Sequence, residues 1–272
     1  MPELPEVETI ASGVHDRIHG RTIRSVWTSN KPQTFKTPPA QIAEALTGSR
    51  IDRVHRVGKT IVVDLTHHRK TIQFLIHLGM TGRLLVSTPD TPIPPHTHAV
   101  LTLSGGPGGI KELRFVDARR FGRLSITETA YEGPGSEPLT ISLEDFIALF
   151  RHRKTPIKAA LLNQSLLHGV GNIYADESLF RAGIRPRRQA GRLTHAELDR
   201  LRTALVEVIR HAIELGGSSV SDYVDADGVR GFFQLEHRVY MRTGEPCLVC
   251  GTPIERIVIG GRGTHFCPHC QK

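Results

Sequence analysis

Four cysteines, Cys247, Cys250, Cys267 and Cys270, are the only ones in this 272-residue chain, and they stand as two C-x2-C pairs separated by sixteen residues. Each pair supplies two thiolates from one tight turn, with Gly251 after the first pair and Pro268 inside the second. The spacing fits a four-cysteine zinc site in a ribbon or finger. The alternatives are a redox dithiol, which needs only one pair, and four unrelated thiols in a tail. One structural zinc ion is the expectation, and by itself it says little about function. At the other end the chain reads MPELPEVE, two prolines and three glutamates in eight residues. Such an opening is either a frayed acidic end or a reactive site whose nucleophile is the chain terminus itself.

The elements that would have to position these groups follow from composition and period. At 39% hydrophobic and 23% charged residues the chain can bury a core, and its length suits two lobes. A formal charge of +8, with fifteen histidines able to add to it, favours an anionic partner, nucleic acid first. A solvated basic surface on an unrelated enzyme gives the same balance. The apolar runs TIVVDL and FLIHLGM are broken by Asp64 and His77, and no basic segment precedes an apolar stretch at the N-terminus. The expectation is a cytosolic protein without membrane spans.

Between residues 21 and 127, TIRSVW, RIDRVHRV, TIVVDL, TIQFLIHL, RLLVS, HAVLTLS, ELRFVD and RLSIT read as short strands separated by turn-rich pieces. They predict a β-sandwich or barrel lobe. Ahead of them Val7, Ile10, Val14 and Ile18 keep helical spacing behind Pro5, so a helix flanks the sheets. YEGPGSEPL, residues 131 to 139, reads as a linker. Beyond it SLEDFIALFRHR, with Ser142 and Asp145 in a variant capping box, then TPIKAALLNQ, YADESLFRAG and THAELDRLRTALVEVIRHAIELGG, are helical in pattern. The turn GVGN between two of these helices either cradles a phosphate at the next helix start or is only a tight interhelical connection.

MPELPEVE, HLGMTGRL at 77 to 84, RRFG at 119 to 122, GVGNIYADESLF, and the terminal GEPCLVCGTPI and RGTHFCPHCQK together resemble the formamidopyrimidine-DNA glycosylase family of base-excision repair enzymes. The resemblance runs the length of the chain. It implies an α+β protein of two lobes: an N-terminal β-sandwich domain with a flanking helix over 1–130, a linker over 131–140, a helical domain with a helix-two-turns-helix motif over 141–240, and a zinc finger over 241–272. The implied partner is double-stranded DNA containing oxidised bases, met by a monomer in the cytoplasm at the nucleoid. The implied reaction removes 8-oxoguanine and formamidopyrimidines and cuts the strand by β,δ-elimination.

Residue by residue, the resemblance makes Pro2 the Schiff-base nucleophile once Met1 is trimmed, and Glu3 the essential acid. An α-amino group titrates near ~7.7–8.0, so much of it is neutral in the cell, and a secondary amine gives an iminium that draws electrons for elimination. Glu6 either positions water or sugar, or, like Glu8, supplies favourable charge to a helix start. Lys59, otherwise a solubility lysine at a strand edge, and Arg262, in the zinc module, are implied phosphate contacts that assist elimination. Met80, Arg119 and Phe121 match the three residues that fill the gap left by a flipped nucleotide. His77, Asn172 and Tyr240 are implied phosphate contacts, and His96 and Arg153 further DNA-binding candidates, Arg153 standing where the family often has lysine. Residues 216 to 234 resemble a loop that closes over the lesion. The glycine-rich SGGPGG at 104 to 109 has no assigned role. Two other readings stay open: excision of oxidised pyrimidines in the manner of endonuclease VIII, and a non-catalytic zinc-containing protein that binds damaged DNA.

Overall fold

Alternating apolar and polar residues before position 128 resolve into β1 (Ile23–Thr28), β2 (Arg50–Val57), β3 (Thr60–His67), β4 (Lys70–His77), β5 (Arg83–Ser87), β6 (Thr97–Leu103), β7 (Glu112–Val116) and β8 (Arg123–Thr127). They pair antiparallel in two open sheets, β1-β6-β7-β5 and β2-β3-β4-β8. Because side chains alternate across a strand, each sheet turns one apolar face inward. Leu101, Leu113 and Phe115 of the first sheet and Ile61, Val63, Phe74 and Ile76 of the second share one buried cluster. Of the sandwich or barrel that the strand spacing predicts, the fold is the sandwich.

The computed structural model describes residues 1–68, 70–220 and 223–272. Met1–Glu132 with Gly216–Phe232 form one unit, and Gly133–Leu215 with Phe233–Lys272 form another. Helix α1 (Leu4–Ile18) belongs to the first. Its stripe Val7, Ile10, Ala11, Val14 and Ile18 is buried in the sandwich cluster, the valines and isoleucines contributing roughly 1.5–3 kcal/mol each. Pro5 sits in the first turn, where a missing N–H costs nothing. The two-turn helix α2 (Pro39–Leu46) buries only Ile42 and Leu46, too few apolar positions to show a period in the sequence. The SGGPGG turn folds around one buried cation: Arg21 donates to the carbonyls of Ser104, Gly109 and Pro107 at 2.9, 2.7 and 2.7 Å.

The second unit holds α3 (Leu143–Phe150), α4 (Ile157–Leu161), α5 (Asn172–Ala182), α6 (His195–Glu214) and the hairpin β9 (Glu255–Ile259) and β10 (Arg262–Phe266). Ser142 caps α3 by accepting the Asp145 N–H at 3.0 Å, and Thr194 with Glu197 forms a capping box on α6. Helix α5 closes on Gly183, whose φ of +69° suits a left-handed cap. Residues 216–232, inside the range that the sequence gives to the helical domain, belong to the first unit. Among the described residues no helix is long and apolar enough to cross a membrane.

Candidate functional site

The start of α1 is built around buried carboxylates. Met1 is half exposed, whereas Pro2, Glu3 and Glu6 are buried. Glu6 Oε2 accepts the Glu3 backbone N–H at 2.8 Å, an arm of the capping box that begins the helix, and Oε1 accepts the Ser218 N–H at 2.7 Å. Both oxygens therefore have backbone donors, and Glu6 joins the Pro2–Glu3 stretch to the segment 216–232. Gly217 lies so close that a Cβ there would stand 3.0 Å from Glu6 Cγ and Oε1. Tyr223 donates to the Gly216 carbonyl at 2.9 Å, and burial, reinforced by the Glu6 charge, pushes its hydroxyl pKa well up. Ser221 and Asp222 of this segment lie outside the described residues. Glu8, read from the sequence as helix-start charge, has a more specific partner. It accepts Arg56 Nε at 2.8 Å while Arg56 Nη1 donates to the Gly58 carbonyl at 3.2 Å, which fixes the β2–β3 turn carrying Lys59.

Two further turns of the first unit carry Met80, Arg119 and Phe121, all exposed. The Arg119 guanidinium lies over the Phe121 ring, 4.6 Å from its centroid. The half-buried His77 closes β4, and its Nδ1 accepts the Gly79 N–H at 3.1 Å. Burial, with help from the Lys59 and Arg123 charges, lowers the His77 pKa, so the ring stays neutral and keeps that acceptor. His96 is exposed at a φ of +64°, and its carbonyl accepts the Asp117 N–H at 3.0 Å. The structure thus brings His77 with Lys59, and Met80 with Arg119 and Phe121.

In the second unit Arg262 is exposed at the first residue of β10. The carbonyl of its neighbour Gly263 accepts Asn172 Nδ2 at 3.0 Å and Lys158 Nζ at 2.9 Å. Asn172 opens α5 behind the glycine N-cap Gly171, an end where the helix dipole favours an anion. Lys158 is fully buried and pairs with Asp176 at 2.6 Å, and Asp176 Oδ2 also accepts the His265 N–H at 2.9 Å. Asn172 and Arg262 are therefore held on one support. Tyr240 sits on a turn whose N–H groups, from Arg238, Val239 and Tyr240, all donate to the buried Glu177 at 2.9–3.1 Å. Arg153 is elsewhere: its Nε donates to the Leu149 carbonyl at 2.5 Å, beside a groove of about 690 Å³ lined by Ser136, Thr140 and Asp145. No described contact joins Arg153 to Arg262, Asn172 or Tyr240.

The cysteine sulfurs converge within 4.8 Å of one another, with Cys250–Cys267 at 3.5 Å and Cys247–Cys270 at 3.9 Å. A tetrahedron of sulfurs about 2.3 Å from a zinc ion has edges of roughly 3.8 Å. The four thiolates suit one zinc ion, and around them Phe180, Val239 and Ile254 form an apolar cluster.

The sequence pattern of the formamidopyrimidine-DNA glycosylase N-terminal domain matches residues 1–124, that of the H2TH domain of the same enzymes residues 133–224, and that of the zinc finger found in FPG and IleRS residues 244–272. The chain belongs to the formamidopyrimidine-DNA glycosylase family. A formamidopyrimidine-DNA glycosylase of Solibacter usitatus is 47% identical over 277 residues, covering both chains fully. The fold matches a Lactococcus lactis FPG mutant in complex with DNA containing Fapy-dG, at a TM-score of 0.90, 34% identity and full coverage of both chains. It also matches MutM bound to DNA carrying carbocyclic 8-oxo-G, at 0.88 and 35%, again over both whole chains.

Asp117 and Lys158 lie outside the quoted motifs, and Asp176, Glu177 and Glu8 lie inside them without a role assigned from the sequence beyond helix-start charge for Glu8. They are found only as buried or paired charges behind an exposed turn.

Proposed function

We propose that the protein is a base-excision repair glycosylase and abasic-site lyase that removes oxidised purines, 8-oxoguanine and formamidopyrimidines, from double-stranded DNA. The observation that carries this reading is the family pattern along the whole chain together with an intact Pro2–Glu3 start held by Glu6. Removal of Met1 frees the secondary amine of Pro2. The neutral amine attacks sugar C1′ as the bond from C1′ to the base breaks, and Glu3 delivers the proton that opens the sugar and lets the base leave. The resulting iminium draws electrons from the sugar, so the 3′ phosphate departs by β-elimination and the 5′ phosphate by δ-elimination.

Lys59 and Arg262 contact the flanking phosphates and assist these departures, and Arg262 can do so in bidentate fashion. His77, Asn172, Tyr240, His96 and Arg153 hold the backbone. Met80, Arg119 and Phe121 occupy the space the flipped nucleotide leaves, Arg119 facing the orphaned base and Phe121 wedging the stack. Residues 216–234 close over the flipped base. The zinc ion is structural and fixes the Arg262 hairpin. The protein acts as a monomer in the cytoplasm, at the nucleoid.

The test is incubation with a duplex carrying 8-oxoguanine opposite cytosine in sodium borohydride, followed by peptide mapping. A covalent adduct at Pro2 is the expected result. Glu3→Gln should bind the duplex with unchanged affinity and release no base. An absent adduct with preserved binding, or base release by Glu3→Gln, overturns the assignment, and preferential excision of thymine glycol moves the substrate to oxidised pyrimidines.

A further inference from the structure

The turns bearing Met80 and Phe121 meet backbone against backbone. A Cβ on Gly79 would lie 2.5 Å from the Phe121 carbonyl carbon, and one on Gly122 would lie 2.5 Å from the Phe115 ring and 3.0 Å from the His77 carbonyl. Contact this close leaves no room for side chains to set the register, so hydrogen bonds must. Asp117, fully buried just past the end of β7, the strand that precedes the second turn, supplies them. Its Oδ1 accepts the Thr81 hydroxyl at 2.5 Å and the Arg119 N–H at 3.3 Å, and its Oδ2 accepts the Gly122 N–H at 2.7 Å. Its backbone carbonyl meets His98 Nε2 at 2.9 Å and accepts the Arg120 N–H at 3.3 Å, while its own N–H goes to the His96 carbonyl at 3.0 Å. Arg120, between Arg119 and Phe121, stands at a φ of +55°, a backbone conformation that non-glycine residues adopt only when their surroundings impose it.

Resting on the glycosylase reading above, we infer that Asp117 is a positioning residue for base flipping: one buried carboxylate holds the Met80 turn and the Arg119–Phe121 turn in the register that lets them enter the duplex together. It touches neither the sugar nor the lesion. Its loss therefore impairs steps that need the duplex opened and spares steps that do not.

The test compares two substrates: an 8-oxoguanine duplex, which must be opened, and a single-stranded oligonucleotide with a preformed abasic site, which need not be. In Asp117→Asn one oxygen becomes an NH2 group. Thr81 can turn its hydroxyl to accept from it, but the backbone N–H groups of Arg119 and Gly122 can only donate. Either orientation of the amide leaves one of them unpaired. Single-turnover excision from the duplex should fall about tenfold or more, the factor expected when a hydrogen bond to a charged group is lost. Strand cleavage at the single-stranded abasic site should stay within about twofold of wild type. The fluorescence change of 2-aminopurine beside the lesion, which reports unstacking, should shrink in parallel.

Thr81→Val removes one donor without placing an amide in the core, and should shift the ratio of the two activities in the same direction by less. An unchanged ratio in both variants overturns the proposal, including the case where Asp117→Asn lowers both activities equally through loss of fold. A wild-type protein inactive on both substrates overturns the glycosylase reading and this proposal with it, a result distinct from an active wild type with an indifferent Asp117.

Discussion

Arg119 on a turn of the first unit and Arg262 at the start of β10 in the second are both exposed arginines, and neither can be fixed by its own packing. Their supports differ. The Arg119 turn rests on one buried carboxylate that collects two backbone N–H groups and a hydroxyl. The Arg262 hairpin rests on four thiolates and on a buried lysine–aspartate pair that grips the Gly263 carbonyl and the His265 N–H. Asp117 directly follows the strand β7 next to its turn, its bonds to Arg119 and Gly122 are local and only that to Thr81 reaches another turn, so they can fail one at a time. The hairpin is held by interactions distant in sequence, with Lys158 and Gly263 105 positions apart. Support of that kind fails as a unit.

The largest expected effect separates the two supports outright. Chelating the zinc, or replacing Cys267 with serine, removes a site of the kind that contributes about 10–16 kcal/mol to small zinc modules. Lesion-duplex affinity by fluorescence anisotropy should fall by about a hundredfold or more, since phosphate contacts are lost together with their scaffold. The emission of Trp27, the single tryptophan and a β1 residue of the first unit, should not change. Metal-free protein that keeps its affinity would show that the hairpin holds Arg262 without the ion, and the contrast between the units would collapse.

A smaller effect sharpens the contrast inside the second unit. Lys158→Met leaves the Asp176 carboxylate buried without its cation, a defect worth about 3–5 kcal/mol. Adding Asp176→Asn should recover part of that loss, because the uncompensated charge is then gone. Urea unfolding followed by far-UV circular dichroism measures both. Equal losses in the single and double variants would mean that the pair carries no mutual energy and that the Gly263 contact alone matters. The support around Asp117 should show no comparable rescue, since among the described residues its carboxylate accepts from a hydroxyl and two backbone N–H groups.

The comparison also explains what the sequence discloses. Strands β1–β8 and the stripe of α1 were legible because a half-buried element repeats its burial with a fixed period, and the zinc site because four thiolates need a set spacing. The residues proposed to meet DNA were picked out by their motifs. Asp117 and Lys158 were not, nor was the supporting role of Glu177 inside its motif, because a buried charge looks like a surface charge until the fold shows what lies behind it. Glu8 shows the same limit: its value as helix-start charge is readable from position, its grip on Arg56 is not. The helix α2 escaped because Ile42 and Leu46 are a single repeat. The SGGPGG turn escaped because the group it wraps, Arg21, lies more than eighty residues earlier.

The smallest effect is a pH dependence confined to the support of Tyr240. His237 is nearly buried, with the rings of Phe233 and Tyr240 at 5.6 and 5.4 Å. Burial pushes its pKa down to about 4, and the nearby His265 charge adds to the lowering. Between the unfolded value near ~6.5 and the folded value the unfolded chain binds more protons, so stability falls as pH drops through that window and is level above it. The loss should approach ~3 kcal/mol at most, since each tenfold difference in proton affinity between the folded and unfolded chain is worth about 1.4 kcal/mol. Urea midpoints of the far-UV signal, carried chiefly by α3–α6 of the second unit, should therefore decline between pH 7 and pH 4 and decline less in His237→Gln. Trp27 emission gives the first unit's midpoint in the same titration, and the His237 substitution should leave its pH profile unchanged. Identical slopes in wild type and variant would place the proton uptake elsewhere and remove His237 from the support of Tyr240. A His237→Gln effect that appeared equally in the Trp27 signal would mean that the two units unfold together, and the difference between their supports would then concern local geometry rather than separate stability.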